Sequence, residues 1–255
     1  MRVSIKKKFE EPLALDKRSF VLLGMMRSGS NFLERQLTLL PDVMCHGELF
    51  NPSFVGFAQP MGNEMAGYQR NDVHPRNREP LKFLRQVSEA TTRPIMGFRM
   101  FLDHDPEMTA RILYDADVKK IVLSRNLLDS YVSLVIARET DQWLLTDVAG
   151  RKEAGPITVD LNEFNTFALR QALYFNDILT ILIRTGQDFL TLDYTEIKNL
   201  ARLNEAATFI GSEHRFDVVK EPLKKQNPES LRRKIVNYDE LLEQMRRRKM
   251  ARWFV

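Results

Sequence analysis

The sequence predicts an α/β fold: one three-layer domain, residues 1–255, with a mostly parallel central sheet flanked by helices. Three observations predict it. Four short β-like runs are spaced along the chain, helical patterns alternate with them, and the first run passes through a glycine turn directly into a helix. At this length a single α/β core is more economical than two small ones. Residues 1–18 read as a basic N-terminal extension of that domain and residues 212–255 as a basic C-terminal segment.

The predicted strands are FVLLGM (Phe20 to Met25), PIMGFRMF (Pro94 to Phe101), KKIVLSR (Lys119 to Arg125) and DFLTLDY (Asp188 to Tyr194). Asn31 to Leu40 reads as the helix after the first strand, ended by Pro41, and Glu107 to Tyr114 as another. Apolar residues at Phe164, Phe167, Ala168, Ala172, Phe175, Ile178, Leu179 and Leu182 keep the helical period and predict one long, largely buried helix. Gly56 to Pro80 and Asp141 to Thr158 lack periodicity and read as loops. Ligands of such sheets bind outside the carboxyl ends of the strands, so these loops are candidate walls for a second substrate.

Composition narrows the classes. The chain is 44% hydrophobic and 28% charged, without repeats or low-complexity tracts, as in ordinary globular proteins. The basic N-terminus is not followed by an apolar run of signal-peptide or membrane-span length, so export is not indicated. Cys45, the one cysteine, has no disulfide partner within the chain and makes no case for a metal site, which suits a reducing, cytoplasmic setting. A net charge of +4 suits an anionic ligand as well as it suits nucleic acid.

The stretch FVLLGMMRSGSNF carries the first chemical signal. Gly24, four residues and Gly29 match the start of a phosphate-binding P-loop, but Ser30 and Asn31 stand where a triphosphatase needs Lys and a magnesium-binding hydroxyl. The loop is P-loop-like in plan only. Strand, glycine turn and helix start gather backbone N–H groups and the positive helix end around one point. Arg27 adds a cationic fork, and Ser28, Ser30 and Asn31 add donors. Such a place holds a phosphate or sulfate without an obligatory metal.

A second signal lies at the end of the third predicted strand, in LSRNLLDSYVSLVIAR. Arg125 stands at its carboxyl edge, and Ser133 follows eight positions later, about two turns into the next helix. Together they could meet one phosphate from two sides.

On these residues the sequence resembles the sulfotransferases that use 3′-phosphoadenosine 5′-phosphosulfate (PAPS). Their RSGT or KSGT loop around the 5′-phosphosulfate corresponds to Arg27, Ser28, Gly29, Ser30 and Asn31, and the resemblance adds Phe32 to the nucleotide contacts. Their Arg and Ser on the 3′-phosphate correspond to Arg125 and Ser133, within a pattern that also keeps Asp129 but has Leu127 where Pro is usual. The resemblance extends to bacterial carbohydrate sulfotransferases of the nodulation-factor, trehalose and lipopolysaccharide types, through MMRSGSNFLERQLTLLPDVMCHGELFNP. It covers Phe20 to Pro52, Pro94 to Phe101 and Lys119 to Arg138, and it implies the sulfotransferase fold.

The resemblance implies that Glu48, in HGELFNP, is the general base that takes the acceptor hydroxyl proton, with Arg27 stabilising the charge on the moving group. His46 and His104 are competing bases, of which His104 ranks second to Glu48. Arg99, in GFRMFLDH with His104, is a further candidate for the sulfuryl group or the acceptor. Related enzymes close a late basic loop over the nucleotide, a role that falls here on EPLKKQNPESLRR with Lys224, Lys225 and Gln226, ahead of a helix near Ser230. RRRK at residues 246–249, with Trp253 and Phe254, is either a solvated charge run or a peripheral contact with an anionic membrane surface.

The leading expectation is transfer of a sulfuryl group from PAPS to a hydroxyl of a carbohydrate or glycolipid, with no metal. A divergent nucleotide kinase shares the strand, loop and helix plan but needs the absent Lys. A nucleic-acid-binding module has only the basic pI of about 9.1 in its favour. Nothing in the sequence selects an oligomeric state, and a homodimer stays among the alternatives.

Overall fold

The computed structural model describes residues 12–58, 62–143, 148–150, 152, 154–220 and 230–248. Among these, five parallel strands form one sheet in the order β2-β5-β1-β6-β7. β1 is Arg18–Leu23, β2 Val43–Cys45, β5 Ile95–Met100, β6 Val118–Ser124 and β7 Phe189–Asp193. All four predicted strands are present, within two residues of their predicted ends. β2 has only three residues, too few to display a period, and the sequence reading missed it.

Strand alternation explains the layers. Val21, Leu23, Met96, Phe98, Met100 and Val122 turn to one face. There they pack on α3 (Pro80–Ala90), α4 (Pro106–Tyr114) and α6 (Leu161–Arg184). Phe20, Leu22, Ile95, Ile121 and Leu123 turn to the other face, against α1 (Ser30–Thr38) and α7 (Leu200–Phe209). Both faces are covered, which is why the central strands read as near-continuous apolar runs. The three-layer α/β class is therefore observed.

A third cluster joins α5 (Leu127–Thr140) and the start of α6 to two late helices, α8 (Leu231–Lys234) and α9 (Tyr238–Arg247). Ile235, Leu241 and Met245 are buried in it, and Phe216 is buried against the α1 side of the sheet. The described part of 212–255 is thus a working part of the core. The same holds at the other end: Leu13 is buried, its N–H donates to Asp115 Oδ2 at 2.6 Å, and Arg18 already belongs to β1.

Two further expectations need correction. Gly56 to Pro80 holds a small hairpin, β3 (Glu64–Met65) and β4 (Tyr68–Gln69), and the short helix α2 (Val73–Arg78). Ala66 and Gly67 turn the hairpin with φ of 55° and 78°, the left-handed pair of a type I′ turn, and two-residue strands leave no pattern to read. The long helix α6 is present, capped by the Asp160 side chain, but only one face of it is buried: Leu169, Leu173 and Ile183 are more than half exposed.

Candidate active site

Parallel strands bring their carboxyl ends to one edge of the sheet, and each strand delivers a candidate residue there. β1 runs into the turn Gly24 to Gly29, where Arg27 at φ 67° and Gly29 at φ 89° are both left-handed. For Arg27 that conformation costs roughly 1–3 kcal/mol, held by the surrounding contacts. At Gly29 a Cβ would lie 2.7 Å from both the Tyr194 ring and Ile197, so glycine is required twice over, for backbone and for space. α1 begins at the next residue, and the first-turn N–H groups of Ser30 and Asn31 leave its positive end without helical acceptors.

Arg125 leaves the end of β6, and the Asn126 side chain caps α5 by accepting from Asp129 N–H at 3.0 Å, which fixes the exit angle. The sequence-distant halves then meet. Arg27 Nε donates to Ser133 Oγ at 3.0 Å, and Arg125 donates to the Arg27 carbonyl at 2.6 Å. Arg27 also donates to the carbonyl of Trp143 at 2.7 Å, at the start of the 141–158 segment. The Arg125 guanidinium stacks 4.0 Å from the centre of the Tyr194 ring, just past β7. Burial and the neighbouring Arg125 charge pull the Arg27 pKa down to about 10. Asp129, the carboxylate paired with Arg125, is 3.9 Å away.

A second cluster forms around Arg99, near the end of β5. Its Nε lies 2.7 Å from Glu34 Oε2, at an angle poor for a hydrogen bond, so the contact is chiefly ionic. Its second nitrogen lies 3.2 Å from Glu48 Oε1 and 3.4 Å from the Ser30 hydroxyl. Arg99 therefore ties the anion loop to Glu48. The other Glu48 oxygen accepts from Asn51 at 2.7 Å and from His104 Nε2 at 3.3 Å. His104 Nδ1 accepts from Phe101 N–H, which assigns the ring proton to Nε2. Burial opposes ionisation of Glu48, but the His104 hydrogen bond, Arg99 and Asn51 outweigh it and hold its pKa at about 2. Burial pushes the Glu34 carboxyl the other way, above its ordinary value, against the pull of Arg99.

Of the residues singled out in the sequence, Arg27, Arg125 and Ser133 share one place, and Ser30, Arg99, Glu48 and His104 share the adjoining one. Ser28 is fully buried with its hydroxyl unpartnered among the described residues, and so is the Arg125 Nε. Phe32 departs from its expected place: its ring packs in the core under α1, and its N–H is used on the Gly29 carbonyl at 2.9 Å. His46 is a core residue and no competitor as a base. It bridges Thr91 Oγ1 and Ala58 N–H at 3.1 Å each, and burial pulls its pKa down to about 4. Lys224, Lys225 and Gln226 lie outside the described residues, as do Lys249, Trp253 and Phe254.

Comparison with known proteins adds a relative. The nodulation protein H of Rhizobium tropici is 26% identical over 238 residues, covering 87% of each chain. The chain is similar to nodulation protein H along most of its length. The resemblance carried by the loop and strand-end motifs, toward the nodulation type, is thus matched at whole-chain scale. No protein-family model matches. A sulfotransferase from Alicyclobacillus acidocaldarius has a crystal structure that covers 91% of this chain and 90% of its own, at 14% identity and a TM-score of 0.49, too low to carry a fold assignment.

Sequence reasoning missed Glu34 and Tyr194. A glutamate inside a helix ordinarily faces water, but Arg99 in the middle of an apolar strand was a signal, because a buried guanidinium requires a carboxylate. Tyr194 stood at the end of a recognised strand, where ligand contacts gather. Among the described residues no helix is long and apolar enough to cross a membrane, and no group of three or more His, Cys, Asp or Glu could hold a metal ion.

Proposed function

We propose that this chain is a PAPS-dependent sulfotransferase acting on a hydroxyl of a carbohydrate or glycolipid. The observation that carries the reading is the meeting of Arg27, Arg125 and Ser133, two guanidiniums and a hydroxyl brought together from separate strand ends and a helix. Burial first, and then the neighbouring Arg125 charge, disfavour the Arg27 cation, and a bound polyanion would offset both. The unpartnered Ser28 hydroxyl and Arg125 Nε fit the same demand, since buried polar groups are rarely left unpaired without a ligand role. The nodulation protein H relative supports the carbohydrate side.

When bound, PAPS supplies a sulfuryl group on a phosphate leaving group, so that an acceptor oxygen–sulfur bond forms as the phosphate oxygen–sulfur bond breaks. Arg27, the first-turn amides of α1 and Ser30 hold the 5′ end, and Arg125 and Ser133 hold the 3′-phosphate. Fixed donors of this kind stabilise developing charge without reorganising. Glu48 takes the hydroxyl proton. At a pKa of about 2 it is a weak but fully ionised and aligned base, suited to a proton that becomes acidic only as the oxygen bonds to sulfur. His104 uses both ring nitrogens in fixed hydrogen bonds and acts as the positioning partner of Glu48. Positioned proton transfer of this kind is worth about a hundredfold or more in rate. A cytoplasmic setting belongs to the same reading, supported by a single buried thiol that needs no oxidising compartment.

Calorimetric titration tests this against the alternatives, with adenosine 3′,5′-bisphosphate in EDTA, ATP with magnesium, and a short oligonucleotide run side by side. The reading expects tight binding of the bisphosphate in EDTA. Binding of ATP with magnesium alone would make the chain a nucleotide kinase, and salt-sensitive binding of the oligonucleotide alone would make it a nucleic-acid module.

A further inference from the structure

Beside the Glu48 loop lies a cleft of about 590 Å³ that no step of the proposed chemistry uses. One wall is Ser53 and Phe54, a few residues after Glu48, and the other is the β3–β4 hairpin with Asn63, Glu64, Gln69, Arg70 and Asn71. We propose that this cleft is the binding subsite for the neutral sugar units of the acceptor, at a distance from the hydroxyl that is modified. The assignment rests on the sulfotransferase reading for its purpose but on separate residues for its evidence.

Charge separates the two places. The Arg27–Arg125 pair gathers two cations, whereas the cleft sets one carboxylate, Glu64, against one guanidinium, Arg70, and fills the rest with amides and a hydroxyl. Such a lining has little attraction for a phosphate or a nucleic acid. It matches a polyol, because each sugar hydroxyl both donates and accepts, and Asn and Gln side chains offer both functions from one planar group. Phe54 adds an apolar face, with the Arg70 guanidinium fixed over it 4.1 Å from the ring centre.

The walls are preformed and linked to the catalytic side. Val55 N–H donates to the Arg70 carbonyl at 2.8 Å, and Arg70 N–H to the Asn63 carbonyl at 2.9 Å, so hairpin and loop are stitched together. Buried Arg76 gathers the carbonyls of Leu49, Asn51 and Phe54 at 2.8, 2.9 and 3.3 Å. Tyr68 anchors the hairpin on α3 through Gln86 and the Phe83 ring. Asn51 connects the two functions directly: its amide nitrogen holds Glu48, and its oxygen accepts from Ser53 N–H at 2.8 Å. Ser53 lies five positions after Glu48, which caps their Cα separation at about 18 Å, within the span of a short glycan chain. A fixed backbone in both walls spares a ligand the cost of ordering the loop.

The test uses the full chain, labelled with ¹⁵N, and three neutral tetrasaccharides as probes: cellotetraose, maltotetraose and chitotetraose. Amide shifts are recorded with and without saturating adenosine 3′,5′-bisphosphate. The proposal expects at least one tetrasaccharide to shift the amides of residues 62–71 and 53–54. It expects the exposed double variant Asn63→Ala/Asn71→Ala to weaken that binding about tenfold or more, as the loss of two hydrogen bonds implies, with bisphosphate affinity unchanged. If the bisphosphate binds but no tetrasaccharide shifts the hairpin, the subsite is refuted and the proposed function stands. If a tetrasaccharide binds the hairpin and the bisphosphate does not bind, the subsite stands and the function fails. Shifts confined to other surfaces also overturn the subsite, as does a double variant that binds sugar as the parent does. Phe54→Leu, which keeps an apolar group in the wall, is the second variant should the first unfold.

Discussion

Replacing His104 by Leu tests the division of labour between His104 and Glu48. Glu48 sits at about 2 instead of 4.5 although burial acts to raise it. At about 1.36 kcal/mol per pKa unit, its partners favour the ionised form by roughly 3.4 kcal/mol beyond the burial penalty. Three groups share that sum, and the His104 hydrogen bond contributes the largest opposing share. Its removal leaves burial less opposed and raises the Glu48 pKa from about 2 toward its ordinary value. Two measurements follow it. ¹³C-carboxyl NMR titration from pH 8 to 3.5 should show no Glu48 transition in the parent and an inflection in His104→Leu. The kcat/KM profile with labelled PAPS should be flat across pH 6–8 in the parent and keep that shape in the variant. A parental acid limb within pH 6–8 that disappears in His104→Leu, together with a hundredfold or greater loss of kcat, would refute the assignment and make the imidazole the base.

Arg125→Ala and Ser133→Ala should each weaken adenosine 3′,5′-bisphosphate in calorimetry, the first by roughly 10–150-fold for a charged hydrogen bond and the second by less. Unchanged affinity in Arg125→Ala would remove the 3′-phosphate assignment. Folding stability should fall with acid because His46 is buried neutral. Its folded pKa of about 4 lies below the ordinary 6.5, so between these values only the unfolded chain binds the proton. Stability is complete above 6.5 and is lost as pH falls toward 4, by about 2 kcal/mol between pH 8 and 5, which urea melts at several pH values would read. His46→Gln should flatten that dependence, and an unaltered slope would sink the explanation. Gly56→Ala should destabilise by about 1–3 kcal/mol, because the new Cβ would lie 2.6 Å from the Glu48 backbone nitrogen. Gly150→Ala, with nothing within 4 Å, is the control and should stay within about 0.5 kcal/mol in thermal melts.

The parts legible in the sequence were those with local signatures. Parallel strands buried on both faces announce themselves as short apolar runs, and Gly24 to Asn31 carries its anion chemistry within eight residues. His46 and His104 show where locality fails. Both are histidines beside recognised segments, yet one bridges Thr91 and Ala58 deep in the core while the other faces Glu48. Nothing within a few residues of either distinguishes them. The Glu34–Arg99 pair was hidden for a similar reason: a helix shows which residues share a face but not which strand that face will cover.

The sequence by itself determined the elements and the chemical parts, because hydrophobic period, glycine turns and helix caps are properties of neighbouring residues. Only the tertiary structure decided which parts meet. Arg27 and Ser133 are 106 residues apart, and Glu48 and His104 are 56 apart. They meet because the strand order β2-β5-β1-β6-β7 places β1 between β5 and β6, with all five carboxyl ends on one edge. That order is a result of long-range packing, set by which apolar faces bury each other, and no short stretch of chain encodes it.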